Sequence, residues 1–270
     1  MSRSYIPPLS MLFACFVAAF ISPAVAENLT VAEVLKPAEL GDRYVFELKC
    51  ARDPFSVKCT YGTIKGDGVN EEQLVEYLKV FLPEIKLYPS QCFQKAKVRN
   101  IILCNGLKFD GQKRSAIPDW ENDTLYYDVV YWEPVEYKQL VIHHELFHMV
   151  DVHDDGRLYQ DDAWKRLLPE TFKYGNGGRN AMGDKTMSLL TDDVSGFVTK
   201  YSTTGVEEDK AETFAHMILH PRYLAKRAQS EGLLEAKMFQ TKRLLKQFCP
   251  EMGDDFWKQA ASISRPDDMN

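Results

Sequence analysis

The chain is expected to fold as an α+β protein, and three observations carry that expectation. Residues 57 to 152 read in the order strand, helix, strand, edge strand, strand, helix, which suits a small mixed sheet with one exposed edge. Helical patterns then dominate beyond residue 204. No repeat, low-complexity tract or linker interrupts the 270 residues, so residues 27–270 read as one domain. Hydrophobic residues at 45% and charged residues at 27% match an ordinary globular composition.

Residues 27–43 read as a short irregular lead. Tyr44 to Cys50 alternates apolar and polar side chains and is expected to be a strand. Arg52-Asp53-Pro54 is a turn signal, and Val57 to Ile64 reads as a second strand ending at Gly66-Asp67-Gly68. Asn70 is placed to cap a helix, with Gln73 at the capping-box position and Glu71 and Glu72 in the positive first turn. Leu74, Leu78, Phe81, Leu82 and Ile85 give that helix one apolar face, and Pro83 is expected to end or kink it. Val98 to Cys104 reads as a buried strand. Gly106, Gly111 and Pro118 mark residues 105–119 as a loop, with an edge strand around Ser115 to Ile117. Thr124 to Val130, rich in Tyr, Leu and Val, reads as a strand.

Residues 138–152 contain no Pro or Gly and read as a helix, with Leu140, Val141, Leu146, Phe147 and Val150 as apolar positions. Residues 153–200 are polar and loop-rich, with a short helix around Asp162 to Leu168. Thr204 to Glu207 matches a capping box and opens a helix running to His220, before Pro221. Residues 222–248 read as one or two further helices, with Leu233, Leu234, Met238, Leu244, Leu245 and Phe248 as core positions.

The first 26 residues read as a signal peptide. Arg3 supplies the positive start, Met11 to Ile21 the apolar run, and Ala24-Val25-Ala26 the cleavage site, so the mature protein is expected to be secreted or periplasmic. Leu12-Phe13-Ala14-Cys15 faintly resembles a lipobox. The bulk of Phe13, and an apolar run that continues past Cys15, argue against lipidation there. The run is too short to favour stable membrane insertion, and no other segment is long and apolar enough. A formal charge of −6 argues against nucleic acid as a partner. Cleavage leaves Cys50, Cys59, Cys92, Cys104 and Cys249; in an exported chain the sequence-local pairs Cys50–Cys59 and Cys92–Cys104 are the expected disulfides.

The chemistry centres on His144-Glu145-Leu146-Phe147-His148, an H-E-x-x-H pattern inside the expected helix. Residues i and i+4 share a helix face, so His144 and His148 can converge on one ion, which suits zinc. Glu145 stands where it can reach a water on that ion and take its proton. On its own the pattern also fits a polar helix face with a solvated Glu145. A catalytic zinc ordinarily has three protein ligands and a water, and Asp154, Glu207, Glu208 and Glu212 are the downstream candidates. Asp154 lies six residues past His148, where a metzincin-like pattern places its third ligand, but that pattern has glycine at 151, where Asp151 stands. Asp151 is expected to steady the helix or its neighbours. Glu208 and Glu212 are i and i+4, so one can bind the ion while the other hydrogen-bonds a ligand imidazole. The alternative for this segment is a charged, solvated helix start. His143, His153, His216 and His220 are expected to be surface or structural residues, and Tyr126, Tyr127, Tyr131 and Trp132 to serve strand packing.

His144 to Asp151, followed by Tyr201-Ser202-Thr203-Thr204-Gly205-Val206-Glu207-Glu208-Asp209-Lys210-Ala211-Glu212, resembles the catalytic domain of gluzincin-type metallopeptidases. The likeness is to the lethal-factor-like group with its Pro-Pro endopeptidases, and to secreted bacterial zinc peptidases. It covers roughly residues 96–220. It implies a zincin-like fold, Glu208 as the third zinc ligand, Glu212 behind the ligands, and Tyr201 as hydrogen-bond donor to the oxyanion. The implied activity is hydrolysis of a peptide or protein substrate, with Glu145 as general base. Phe147 and Lys210 depart from the family pattern, where a small residue and an aromatic or apolar residue are usual. The competing expectation is a non-catalytic zincin-fold module that binds a host or envelope partner. A closed structural zinc site is disfavoured, because no fourth Cys or His ligand is evident.

Overall fold

A computed structural model describes residues 29–31, 40, 44–130, 134–177 and 185–263. The expected signal peptide with Cys15, most of the lead, and Tyr131 and Trp132 lie outside them. The fold is mixed α/β, with an eight-stranded mixed sheet and eight α-helices among the described residues.

The strands are β1 (Leu29–Val31), β2 (Glu47–Ala51), β3 (Phe55–Cys59), β4 (Gly62–Asp67), β5 (Asn100–Phe109), β6 (Gln112–Lys113), β7 (Ala116–Asp119) and β8 (Thr124–Asp128). The helices are α1 (Glu71–Lys86), α2 (Ser90–Lys95), α3 (Val135–Asp155), α4 (Asp162–Lys165), α5 (Val206–Leu219), α6 (Pro221–Ala228), α7 (Gly232–Phe248) and α8 (Asp254–Ser262). Strand β5 is the axis. Its first half pairs in parallel with β2 on one side and β8 on the other. Its second half pairs antiparallel with β4 and β6. Strands β1 and β7 add antiparallel to β2 and β8, which makes β7 the edge beside the long helix α3.

Alternation along β5 and β8 sorts side chains to two faces. Ile101, Leu103, Leu125 and Tyr127 point to the main core, shared with α1, α2, α3, α5, α7 and α8. Ile102, Cys104 and Tyr126 point the other way, where the β3–β4 hairpin closes a smaller cluster with Phe55, Val57 and Ile64. Phe55 stacks on Tyr126 with ring centroids 5.8 Å apart.

Several expectations are corrected. Val57 to Ile64 is two strands, because the chain turns at Thr60-Tyr61 and Val57 pairs back across the hairpin with Ile64. Pro83 does not end α1, which runs on to Lys86. Asn70 does cap it, its Oδ1 accepting from the Glu72 and Gln73 amides at 2.9 and 3.3 Å. Thr204 is not an N-cap: its hydroxyl donates to the Tyr201 carbonyl at 2.7 Å, and α5 begins after Gly205. Strand β1 falls in the lead read as irregular, and α8 had no counterpart in the sequence reading.

The expected disulfides are absent; Cys50, Cys59, Cys92, Cys104 and Cys249 are free thiols. Both pairings fail for one reason. Cys50 and Cys92 sit in the main core, whereas Cys104 lies on the opposite sheet face and Cys59 follows Phe55 and Val57 toward that same face. No helix among the described residues is long and apolar enough to cross a membrane.

Candidate metal centre

Helix α3 carries the H-E-x-x-H run in its middle and packs chiefly against α5. Its register is fixed from three sides. The Tyr127 hydroxyl donates to the Ile142 carbonyl at 3.3 Å, and Leu146, Phe147, Met149 and Val150 fill the main core. On the face turned toward α1, His143 lies fully buried, with Nδ1 2.6 Å from the Tyr88 hydroxyl and Nε2 3.0 Å from Glu84 Oε2. The Gln139 amide donates to the other Glu84 oxygen at 2.6 Å. The helix ends at Gly156, whose φ of 78° is a left-handed conformation that favours glycine.

His144 and His148 emerge toward α5. The two Nε2 atoms lie 3.1 Å apart, and Glu208 Oε2 lies 3.0 Å from the first and 3.5 Å from the second. All three residues are buried, and one ligand atom from each falls in a single cluster able to hold a metal ion. The spacing suits one. Three donors bound tetrahedrally at about 2.0–2.1 Å sit about 3.3 Å from one another, close to the separations observed. The donor set fits as well, since two imidazole nitrogens and a carboxylate oxygen at these distances are groups that could hold a cation between them.

The residues behind the cluster complete it. His144 Nδ1–H donates to Glu212 Oε1 at 2.9 Å, the carboxylate support expected of a ligand histidine. Glu212 Oε2 accepts from the Thr199 hydroxyl at 2.7 Å, and Thr199 is itself bonded to Ser202. The Tyr201 hydroxyl donates to Glu208 Oε1 at 3.1 Å. Glu145, next to His144 on α3, is partly exposed while residues 141–144 and 146–151 are buried.

Electrostatics favour positive charge at this point. Burial works against a charged His144, yet the hydrogen bonds and negative charge of Glu208 and Glu212 hold its pKa well above the ordinary histidine value. Burial likewise opposes ionised Glu208 and Glu212. Hydrogen bonds from His144 and His148 nevertheless hold Glu208 well below the usual carboxylate range, and His144 and His216 hold Glu212 at about 2. Burial raises the Glu145 carboxyl, with the charges of His144 and His148 opposing. Burial and the nearby charges of Glu208 and Glu145 push the Tyr201 phenol well above its ordinary value, so it stays a donor.

Helix α5 is not a solvated helix start: every residue from Val206 to Leu219 is buried. Asp209 takes the Lys237 ammonium at 2.7 Å, the Trp164 indole N–H at 2.8 Å and the Tyr174 hydroxyl at 2.6 Å. Lys210 pairs with Asp151 and with Asp161, the latter at 3.0 Å. Sequence reasoning missed this web; the signal was the density of ionisable residues in one short run of a helix that must pack on α3. Asp154 is exposed and outside the cluster, and Glu207, though buried, is also outside it. His153 bonds to the Met149 carbonyl at 2.8 Å, His220 pairs with Glu136 at 2.9 Å, and buried His216 lies 3.7 Å from Glu212. Tyr126 and Tyr127 are fully buried.

Fold and site together define a mixed α/β protein with a buried His-His-Glu cluster that could bind a metal. No family model, curated protein or solved structure matches the chain.

Proposed function

We propose that the protein is an exported zinc-dependent metallopeptidase with a zincin-like fold, acting on peptide or protein substrates. The observation that carries the reading is the convergence of His144, His148 and Glu208, with Glu145 beside them on α3 and partly exposed. Two neutral imidazoles and one carboxylate are a donor set that suits zinc and leaves a position for water. The architecture supports it too. The antiparallel strand β7 lies at the sheet edge beside α3, where an extended peptide can add as a further strand.

Zinc, when bound, supplies a water of lowered pKa and polarises the scissile carbonyl. The protein's own groups do the rest. Glu145 takes the proton from the attacking water and returns it to the leaving amine; its raised pKa brings it closer to the working range of a general base. Tyr201, a protonated phenol beside Glu208, is a preorganised donor for the developing oxyanion. Glu212 fixes the His144 ring so that Nε2 faces the ion.

Incubation of the mature protein with a mixed peptide library, read by mass spectrometry, tests the reading. Cleavage is expected, abolished by a chelator and restored by stoichiometric zinc. A zinc-loaded protein that binds peptides and cleaves none would instead favour a binding module. Glu212→Gln is expected to weaken zinc about 10–100-fold, checked by competition with a chromogenic chelator.

A further inference from the structure

Helix α3 holds two buried polar atoms without hydrogen-bond partners, one turn apart: His148 Nδ1 and Asp151 Oδ2. The residues are 6% and 2% exposed, so bulk water does not compensate either atom. The two are complementary. A histidine bound to a metal through Nε2 carries its proton on Nδ1 and requires an acceptor there, most often a carboxylate. His144 has such an acceptor in Glu212; His148 has none so far assigned.

We propose that Asp151 is the positioning carboxylate for His148, reached through one bridging water, and that Lys210 holds it in place. Asp151 lies three residues after His148 and shares its side of α3. Its other oxygen is taken by the Lys210 ammonium, itself 2% exposed, which Asp161 grips at 3.0 Å from the far side. This leaves Oδ2 as the free atom.

Lys210 also belongs to the helix that supplies Glu208, two residues earlier. The pair therefore joins the helix bearing both histidines to the helix bearing the carboxylate ligand. A buried ion pair is a poor way to gain stability, since apolar side chains of similar size often hold helices as well. Its contribution here is direction: it orients a carboxylate oxygen beside a metal-binding ring.

The inference rests on the zinc reading, and one experiment separates the two. Zinc affinity is measured by chelator competition on full-length mature protein for the wild type, Asp151→Asn and the double variant Asp151→Leu with Lys210→Met. Melting of each metal-free protein is recorded alongside. The double variant replaces the ion pair with apolar groups, so the metal-free fold is expected to melt near the wild type while zinc binds about 10–100-fold more weakly. Asp151→Asn keeps a neutral acceptor and should fall between them; it also serves if the double variant does not fold. Zinc affinity within about twofold of wild type in the variants, whatever the melting shift, overturns the positioning role alone, because such a change is small beside the 10–100-fold expected. A wild type that binds no zinc overturns the metallopeptidase reading as well.

Discussion

Glu208→Ala is expected to strip the protein of its metal: about one zinc per chain in the wild type should fall to a small fraction after dialysis. The carboxylate is one of three converging donors, 3.0 and 3.5 Å from the two imidazole nitrogens. Zinc sites with four protein ligands bind with apparent free energies of about 10–16 kcal/mol, or about 3 kcal/mol for each donor, so losing one weakens binding roughly 100-fold. The variant also removes the negative charge that holds His144 in its raised state, leaving two imidazoles with less reason to face each other. Elemental analysis of both proteins reads the result. Asp154→Ala is the control and should keep full zinc, since Asp154 is exposed and outside the cluster. Full zinc in Glu208→Ala would reassign the third ligand.

Glu145→Gln should do the opposite, keeping the zinc and losing the reaction. Glu145 is not among the converging donors, and glutamine matches its shape, so neither metal nor fold is expected to suffer. Glutamine cannot take up a proton, and general acid–base catalysis typically contributes 10²–10⁴-fold, so peptide turnover should fall on the order of 10³-fold. Zinc content and peptide cleavage measured on the same preparation separate this from misfolding. A variant that retains full turnover removes Glu145 from the mechanism.

The two histidines were legible because helical periodicity is local: four residues return a side chain to the same face, whatever the rest of the chain does. Glu208 was harder. Sixty residues separate it from His148, and from the residues alone Glu207, Glu208 and Glu212 were all open. Only the packing of α5 on α3 selects Glu208 for the cluster and Glu212 for the ring behind it. The edge strand was visible from Ser115 to Ile117 and is found at Ala116–Asp119. The cysteine pairings were not legible, because proximity in sequence says nothing about which face of a sheet a side chain takes. The turn at Thr60-Tyr61 was hidden because the two residues between the strands include no Pro or Gly to mark it, while the inward positions shift from odd to even numbers across it. The buried ion pairs of Asp209 and Lys210 were unreadable for a similar reason: their partners, Lys237, Asp151 and Asp161, come from distant parts of the chain.

Strand β5 also sets a sequence of events for the chain as it folds. Both neighbours of its first half run parallel to it, and parallel neighbours have to be joined by long excursions, here through residues 52–99 on one side and 105–123 on the other. No local zippering can assemble that centre; two large loops must close before it gains its reward. The β3–β4 hairpin and helix α3 need no such closure and can form early. The His144, His148 and Glu208 cluster adds a closure of its own, since its helices α3 and α5 meet across about fifty residues of intervening chain.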